Sequence, residues 1–169
     1  MREIKKIRIF DFDGTVMDTP LPDTGRILFE RKIHKQWPHK GWWSKPESLD
    51  AFIFDIKPIS HVFDVLIAER SPDTLYVLMT GRITKLENQV KQLLSSHNLQ
   101  FDRYFFNTKG DVGKCKLSQI KELISEFSEV TEIEMWEDRP VHIELFREFG
   151  KTCGLERFEV IEVKNDRHG

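Results

Sequence analysis

Two aspartates stand two residues apart in Asp11-Phe12-Asp13-Gly14-Thr15, directly after the β-branched, apolar stretch Ile7-Arg8-Ile9-Phe10. A second acidic pair, Glu137-Asp138, follows Ile133-Glu134-Met135-Trp136, and Thr80-Gly81-Arg82 follows Leu75-Tyr76-Val77-Leu78-Met79. Carboxylates of Asp11 and Asp138 brought together would repel each other unless a cation lay between them. Hard oxygen donors with open positions suit Mg²⁺, which also takes a phosphate oxygen. Asp11 could then attack phosphorus and become an aspartyl-phosphate. Asp13 is placed to protonate the leaving oxygen and afterwards to deprotonate the water that frees the enzyme. Gly14 permits a tight turn whose exposed N–H groups can cradle phosphate. The Thr80 hydroxyl can bond a phosphoryl oxygen. A lysine must balance the charge, either Lys116, read as the start of a helix, or its neighbour Lys114.

These residues are far apart in the chain, so a fold must bring them together. Each polar cluster follows a segment with strand character. The continuous apolar run Leu75–Met79, read as ending before Thr80, fits a strand buried on both faces of a parallel sheet. Tyr104-Phe105-Phe106 and Phe158 to Val163 supply two further strands. Helical spacing falls between them: Val62, Val65 and Leu66 within 61–69; Leu86, Val90, Leu93 and Leu94; Leu117, Ile120, Leu123, Ile124 and Phe127; and Ile143 and Phe146 after Pro140, a helix-starting residue. Strands alternating with helices predict a parallel, Rossmann-like α/β sheet with helices on both faces. In such sheets ligands bind outside the carboxyl ends of the strands. Asp11/Asp13, Thr80 and Glu137/Asp138 are therefore expected on one rim.

Residues 17–57 break the alternation. They hold Pro20, Pro22, Pro38 and Pro46 with Trp37, Trp42 and Trp43, and read as an insertion, cap-like, within a single domain of residues 1–169. Between positions 26 and 45 stand Arg26, Arg31, Lys32, Lys35, Lys40 and Lys45 against the single acid Glu30. Cations follow phosphates and aromatic rings stack bases in single-strand binding. The plainer reading, a solvated helix face with Trp42 and Trp43 pinning the insertion to the sheet, is preferred for the two tryptophans. Arg82 reads equally as a substrate contact or as a surface ion pair, Arg139 as a helix-end residue, and His142 as packing.

Of the 169 residues, 39% are apolar and 32% charged, with a net charge of −2, a globular composition without the field that gathers nucleic acid unaided. Cys115 and Cys153 make neither a disulfide framework nor a paired metal spacing, and are read as buried, small apolar residues in a reduced, cytoplasmic setting. No apolar run approaches the ~20 residues of a membrane span, and the N-terminus lacks the apolar core of a signal peptide.

Asp11-Phe12-Asp13-Gly14-Thr15, Thr80-Gly81-Arg82, Lys116 and Glu137-Asp138 resemble, in order, the four motifs of the haloacid dehalogenase (HAD) superfamily. That resemblance implies a strand order 5-4-1-2-3 and a phosphatase or phosphotransferase, given an aspartate at position 13. It implies Mg²⁺ held by the Asp11 carboxylate, the Asp13 carbonyl and an acid of the fourth motif, Asp138 directly or Glu137 through water. Asp11, Asp13, Thr80 and Lys116 would then be catalytic, and Gly14, Gly81 and Arg82 would contact substrate. The run from Phe12 to Pro20, Gly41-Trp42-Trp43 with Pro46, Phe101-Asp102, and Glu137-Asp138-Arg139 followed by His142 and Phe146 are similar to the HAD domain of Swiss Army Knife RNA-repair-like proteins. Glu137-Asp138-Arg139 and the pair Gly150 and Cys153 also resemble the 3′-phosphatase domain of phage polynucleotide kinase. One position departs, since Cys115 stands where that group has a phenylalanine before its lysine. The implied partner is a phosphorylated RNA or DNA end, with a nucleotide or sugar phosphate as the alternative substrate and an inactive binding module as the alternative from another class.

Overall fold

The computed structural model describes residues 2–165. Five parallel strands, β1 (Lys6–Phe10), β2 (Thr74–Ile83), β3 (Arg103–Asn107), β4 (Glu132–Glu137) and β5 (Arg157–Glu162), form one sheet in the order β3-β2-β1-β4-β5. Read from its other edge this is the expected 5-4-1-2-3. The helices are α1 (Pro22–Ile33), α2 (Ser60–Ile67), α3 (Glu87–Ser96), α4 (Val112–Glu126) and α5 (Pro140–Gly150).

Side chains alternate across a strand, and here both faces are apolar. Ile7, Ile9, Val77, Met79, Ile133 and Met135 pack against Ile120 and Leu123 of α4 and Ile143 and Phe146 of α5. Phe10, Tyr76, Leu78 and Trp136 pack on the other side with Val62 and Leu66 of α2 and Val90 and Leu94 of α3. That two-sided burial explains why β2 reads as an unbroken apolar run.

Two local features differ from the sequence reading. Strand β2 does not stop before Thr80; it continues to Ile83, with a register shift against β3 between Met79 and Ile83. Such an irregularity bends a strand and re-aims its side chains. Helix α4 begins at Val112, with the Asp111 side chain accepting from the N–H of Lys114. Lys116 therefore lies a turn inside the helix, not at its start, because the cap sits five residues earlier.

Residues 17–57 form a closed excursion. The N–H of Asp18 donates to Lys57 and that of Ile59 to Val16, so its two ends lie together. Helix α1 starts on Pro22 and ends at His34 in the left-handed region (φ 62°). Trp42 is 3% exposed and packs against Trp37, ring centres 4.5 Å apart and planes tilted by 41°. A Cβ on Gly25 of α1 would come within 2.1 Å of the Trp42 ring, so only glycine admits that ring against the helix.

Among the described residues no helix is long and apolar enough to cross a membrane. Cys115 and Cys153 are free thiols, half-buried instead of fully buried as expected; each lies on a helix or turn at the edge of the core.

Candidate active site at the carboxyl edge of the sheet

Phe10 of β1 pairs with Trp136 of β4, and the N–H of Asp11 continues that ladder to the Trp136 carbonyl at 3.0 Å. Asp11 and Glu137 therefore leave the sheet side by side. Ligand atoms of Asp11, Glu137 and Asp138, all buried, lie within 4.8 Å of one another. Lys116 reaches them from α4, 2.8 Å from Asp11 Oδ1 and 3.0 Å from Glu137 Oε2. Lys114 is exposed; between the two candidate lysines, only Lys116 is brought to the acids.

The two fourth-motif acids have different surroundings. Glu137 Oε1 accepts from the backbone N–H groups of Asp138 and Arg139, and Oε2 from Lys116. Asp138 Oδ2 accepts from Asn165 at 3.3 Å. Glu137 is thus fixed by backbone and lysine, and Asp138 stands beside it on the cavity wall.

Asp13 lies on the same cavity but is held from another side. Arg82 donates to it through Nε (2.9 Å) and Nη2 (2.8 Å), and Thr19 Oγ1 donates at 2.6 Å. The Arg82 Nη1 donates to the Trp43 carbonyl and to Ser48 Oγ, each at 2.7 Å. Arg82 is 2% exposed. It lines the cavity, yet its planar fork ties Asp13 to the insertion, a geometry lysine does not reproduce. Thr80 is 1% exposed, accepts from the Arg82 N–H at 3.0 Å, and is not among the residues lining the cavity. Gly81 lines it, where a Cβ would meet Val112 at 2.8 Å. Gly14 turns at φ 75°, and its carbonyl accepts from Asn165.

The cavity holds about 490 Å³ and includes Asp11, Asp13, Lys116, Asp138, Arg139 and His142 on its walls. A second space of about 510 Å³, by Leu49, Phe52 and Leu93, touches none of these acids. Burial, reinforced by the Glu137 charge, pushes the Asp11 carboxyl up to about 6 despite Lys116. For Lys116, burial opposes the ammonium, but Asp11 and Glu137 outweigh it and hold the amine above its ordinary value. His142 is lowered to about 4 by burial and by the nearby charges of Lys116 and Arg139, so it is neutral at pH 7.

The donor set is all oxygen, hard, and in excess of its cations, which fits Mg²⁺ rather than a thiolate- or imidazole-seeking metal. Thr15, which donates to Asp11 Oδ2 at 3.0 Å, and Thr19 were not singled out from sequence, although both lie within a few residues of the acids they serve. Asn165 carries no local signal; it arrives only because β5 lies beside β4, with Glu162 opposite Glu137.

A family model described as HAD domain family 1 in Swiss Army Knife RNA repair proteins matches residues 28–168. The match takes in Thr80, Lys116, Glu137 and Asp138 but begins after Asp11 and Asp13. A Saccharomyces cerevisiae protein, the uncharacterized YMR265C, is 29% identical over 180 residues; the alignment covers 92% of this chain and 39% of that protein. Among solved structures, an archaeal beta-phosphoglucomutase from Pyrococcus sp. strain ST 04 has a TM-score of 0.55 at 14% identity, over 90% of this chain and 85% of its own. At that identity the likeness is one of fold.

Proposed function

We propose, from the premise that this chain belongs to HAD domain family 1 of the Swiss Army Knife RNA repair proteins, that it is a Mg²⁺-dependent phosphomonoesterase acting through an aspartyl-phosphate on Asp11. The observation that carries the reading is the meeting of three buried acids with one lysine beside the nucleophile. The carboxylates of Asp11 and Asp138, with the Asp13 carbonyl that the family pattern adds, would hold the ion. Glu137, its oxygens engaged by Lys116 and two N–H groups, would orient them. Bound there, Mg²⁺ supplies Lewis-acid stabilisation of the phosphoryl oxygens.

The chain's own groups supply the rest. Asp11 forms a bond to phosphorus as the bond from phosphorus to the leaving oxygen breaks. Asp13 gives that oxygen its proton. It then takes a proton from water as the water oxygen bonds to phosphorus and the link to Asp11 breaks, releasing phosphate. As found, Asp13 accepts from Arg82 and Thr19, the form suited to the water step; donating a proton first requires the Arg82 pair to loosen. Lys116 keeps Asp11 in place and offsets its charge. Thr80, buried off the cavity wall, and Gly14, whose N–H donates to the Met17 carbonyl at 2.8 Å, would shape the loops beside the phosphoryl group without bonding it.

For the substrate, we favour a phosphate at the end of a nucleic acid. The family's description and the six cations between positions 26 and 45 support it, since such cations follow a phosphate backbone. The test mixes protein and Mg²⁺ with labelled 3′-phosphorylated oligonucleotide, mononucleotides and sugar phosphates at several salt concentrations. Phosphate release, acid-stable label on the protein that is absent in Asp11→Asn, and a rate on oligonucleotide that falls steeply with salt are expected. Release without label on Asp11 would remove the covalent mechanism; salt-independent preference for a sugar phosphate would transfer the enzyme to small metabolites.

A further inference from the structure

The sequence treats Trp42 and Trp43 alike, and the structure separates them. Trp42 is 3% exposed and packs on Gly25, Trp37 and Phe54. Trp43 is 41% exposed and stands in the wall of the cavity that holds Asp11 and Asp13. Leu21 and Val112 give the same cavity apolar wall. Trp42 already pins the insertion, so the exposed part of the Trp43 indole is available as a wall to whatever enters the cavity.

Its position fixes which part of a substrate it meets. The Arg82 guanidinium lies 4.9 Å from the Trp43 ring centre and bonds the Trp43 carbonyl. The same guanidinium holds both oxygens of Asp13. Asp13 is the group that serves the leaving oxygen in the mechanism above, and Lys116 and Asp138 lie on the phosphoryl side. Trp43 is therefore on the leaving-group side of the site. A leaving alcohol that rewards an indole wall is one that carries a flat π-system close to the ester oxygen. About 490 Å³ is within the size of a small-molecule site, roughly 300–1,000 Å³, enough for one nucleoside unit but not for a folded partner.

We propose that Trp43 is the platform on which the base of the terminal nucleoside stacks, so that the enzyme selects phosphomonoesters whose leaving alcohol bears a nucleobase. The proposal rests on the phosphatase reading of the same site and adds to it a residue that determines specificity. A free nucleotide and a strand end share this chemistry; the cations of the insertion favour the strand end.

The test compares kcat/KM on a 3′-phosphorylated oligonucleotide, the same oligonucleotide with an abasic terminal residue, a nucleoside 3′-monophosphate and the base-free ribose phosphate. The proteins are wild type, Trp43→Phe and Trp43→Leu. Wild type is expected to prefer each base-bearing substrate by about 5- to 150-fold, the range of one aromatic–base stack. The leucine variant should bring that ratio to near unity, and phenylalanine should keep most of it. Equal losses on base-bearing and base-free substrates would mean that Trp43 acts only by holding Arg82, and would overturn the platform. So would a wild type with no base preference. The ratio of oligonucleotide to mononucleotide rates identifies the source of the nucleoside. If wild type releases phosphate from none of the four, the hydrolase reading has failed, and binding decides the platform separately. Fluorescence titration of Asp11→Asn with the two oligonucleotides should show tighter binding of the base-bearing one, lost in Asp11→Asn/Trp43→Leu; equal binding would overturn it.

Discussion

The two ends of this sheet bury carboxylates in opposite ways. At the carboxyl end Asp11, Glu137 and Asp138 share Lys116. Toward the amino end Glu134 meets Lys6, Arg8 (3.3 Å) and Arg157 (3.2 Å), with Glu132 and Glu159 sharing Lys6 and Arg157 at its more exposed border and Arg8 lying near the Tyr76 and Trp136 rings. Burial works against the charged form at both ends. At Glu134 the hydrogen bond from Lys6 and the charges of Arg8, Lys6 and Arg157 outweigh burial and hold the carboxyl below its ordinary range. At Asp11 burial and Glu137 outweigh Lys116, and the carboxyl rises to about 6. The same physics thus gives opposite signs, and the count of cations decides between them. A cluster that satisfies itself is structural; one that is short of positive charge has room for a further cation, which is the basis of the proposed Mg²⁺ site.

The largest expected contrast is in turnover. Asp11→Asn should lower phosphate release by at least about 1,000-fold, as loss of a nucleophile does, while Glu134→Gln stays within about 3-fold of wild type because its cluster touches no reacting group. Comparable losses in both variants would erase the distinction between the two ends.

Smaller, but more diagnostic, is the pH dependence of stability in the metal-free protein. Between pH 3.8 and about 6 folded Asp11 holds a proton that the unfolded chain has released. Its stabilising share is present below 3.8 and lost as pH rises through 6, about 3 kcal/mol in all. His142 runs the other way. Folded, it stays neutral down to about 4, whereas unfolded it protonates near 6.5; its share is present above 6.5 and lost as pH falls through 4, again about 3 kcal/mol. The two oppose each other between 4 and 6. Urea melts in EDTA should show Asp11→Asn gaining on wild type as pH rises across that window, and His142→Gln losing on it. Differences from wild type that stay constant with pH would mean that neither group is perturbed as described.

Next in size is the response to Mg²⁺. An ion that binds only the folded protein adds about 2.7 kcal/mol at a hundred times its Kd. Thermal melts of wild type and Glu134→Gln should rise together on adding Mg²⁺, and Asp138→Asn should stay near its EDTA value. An unchanged response in Asp138→Asn would move the ion away from the fourth-motif acids.

What the chain disclosed before folding follows the same division. Asp11, Asp13, Lys116, Glu137 and Asp138 were legible because each sits just beyond a strand or on the helix before one, and sheet topology alone gathers such positions. The strands were legible from their apolar runs and alternation, most plainly β2, which is buried on both faces; their order came only from the family resemblance. The work of Arg82 was not, since its four bonds go to residues 34 to 69 positions away. Trp43 was not distinguishable from Trp42, because exposure depends on the path of the insertion and not on residue type. The overrun of β2 past Thr80 was hidden as well: glycine weakens a strand interior, but here Gly81 makes room for Val112 beside the register shift.

The smallest expected effect tests the amino end itself. Glu134→Gln removes the carboxylate that three cations share, yet the side chains of Lys6, Arg8 and Arg157 are 25%, 26% and 48% exposed and Glu132 and Glu159 lie close by. Water and these neighbours can take up the released cations, so the cost should be about 1–2 kcal/mol, well under the 3–5 kcal/mol of a fully buried broken pair. Because Glu134 is held below 4.5 in the folded protein, its contribution is present above pH 4.5 and disappears as pH falls through the folded value. The deficit of Glu134→Gln against wild type should therefore shrink on acidification. For Asp11→Asn the difference from wild type changes in the opposite sense with pH: at neutral pH the metal-free variant should be the more stable protein, and that advantage should disappear on acidification. If both variants were destabilised at neutral pH and recovered together in acid, the two ends of the sheet would be one kind of ion cluster, and the carboxyl end would have no special need for a metal.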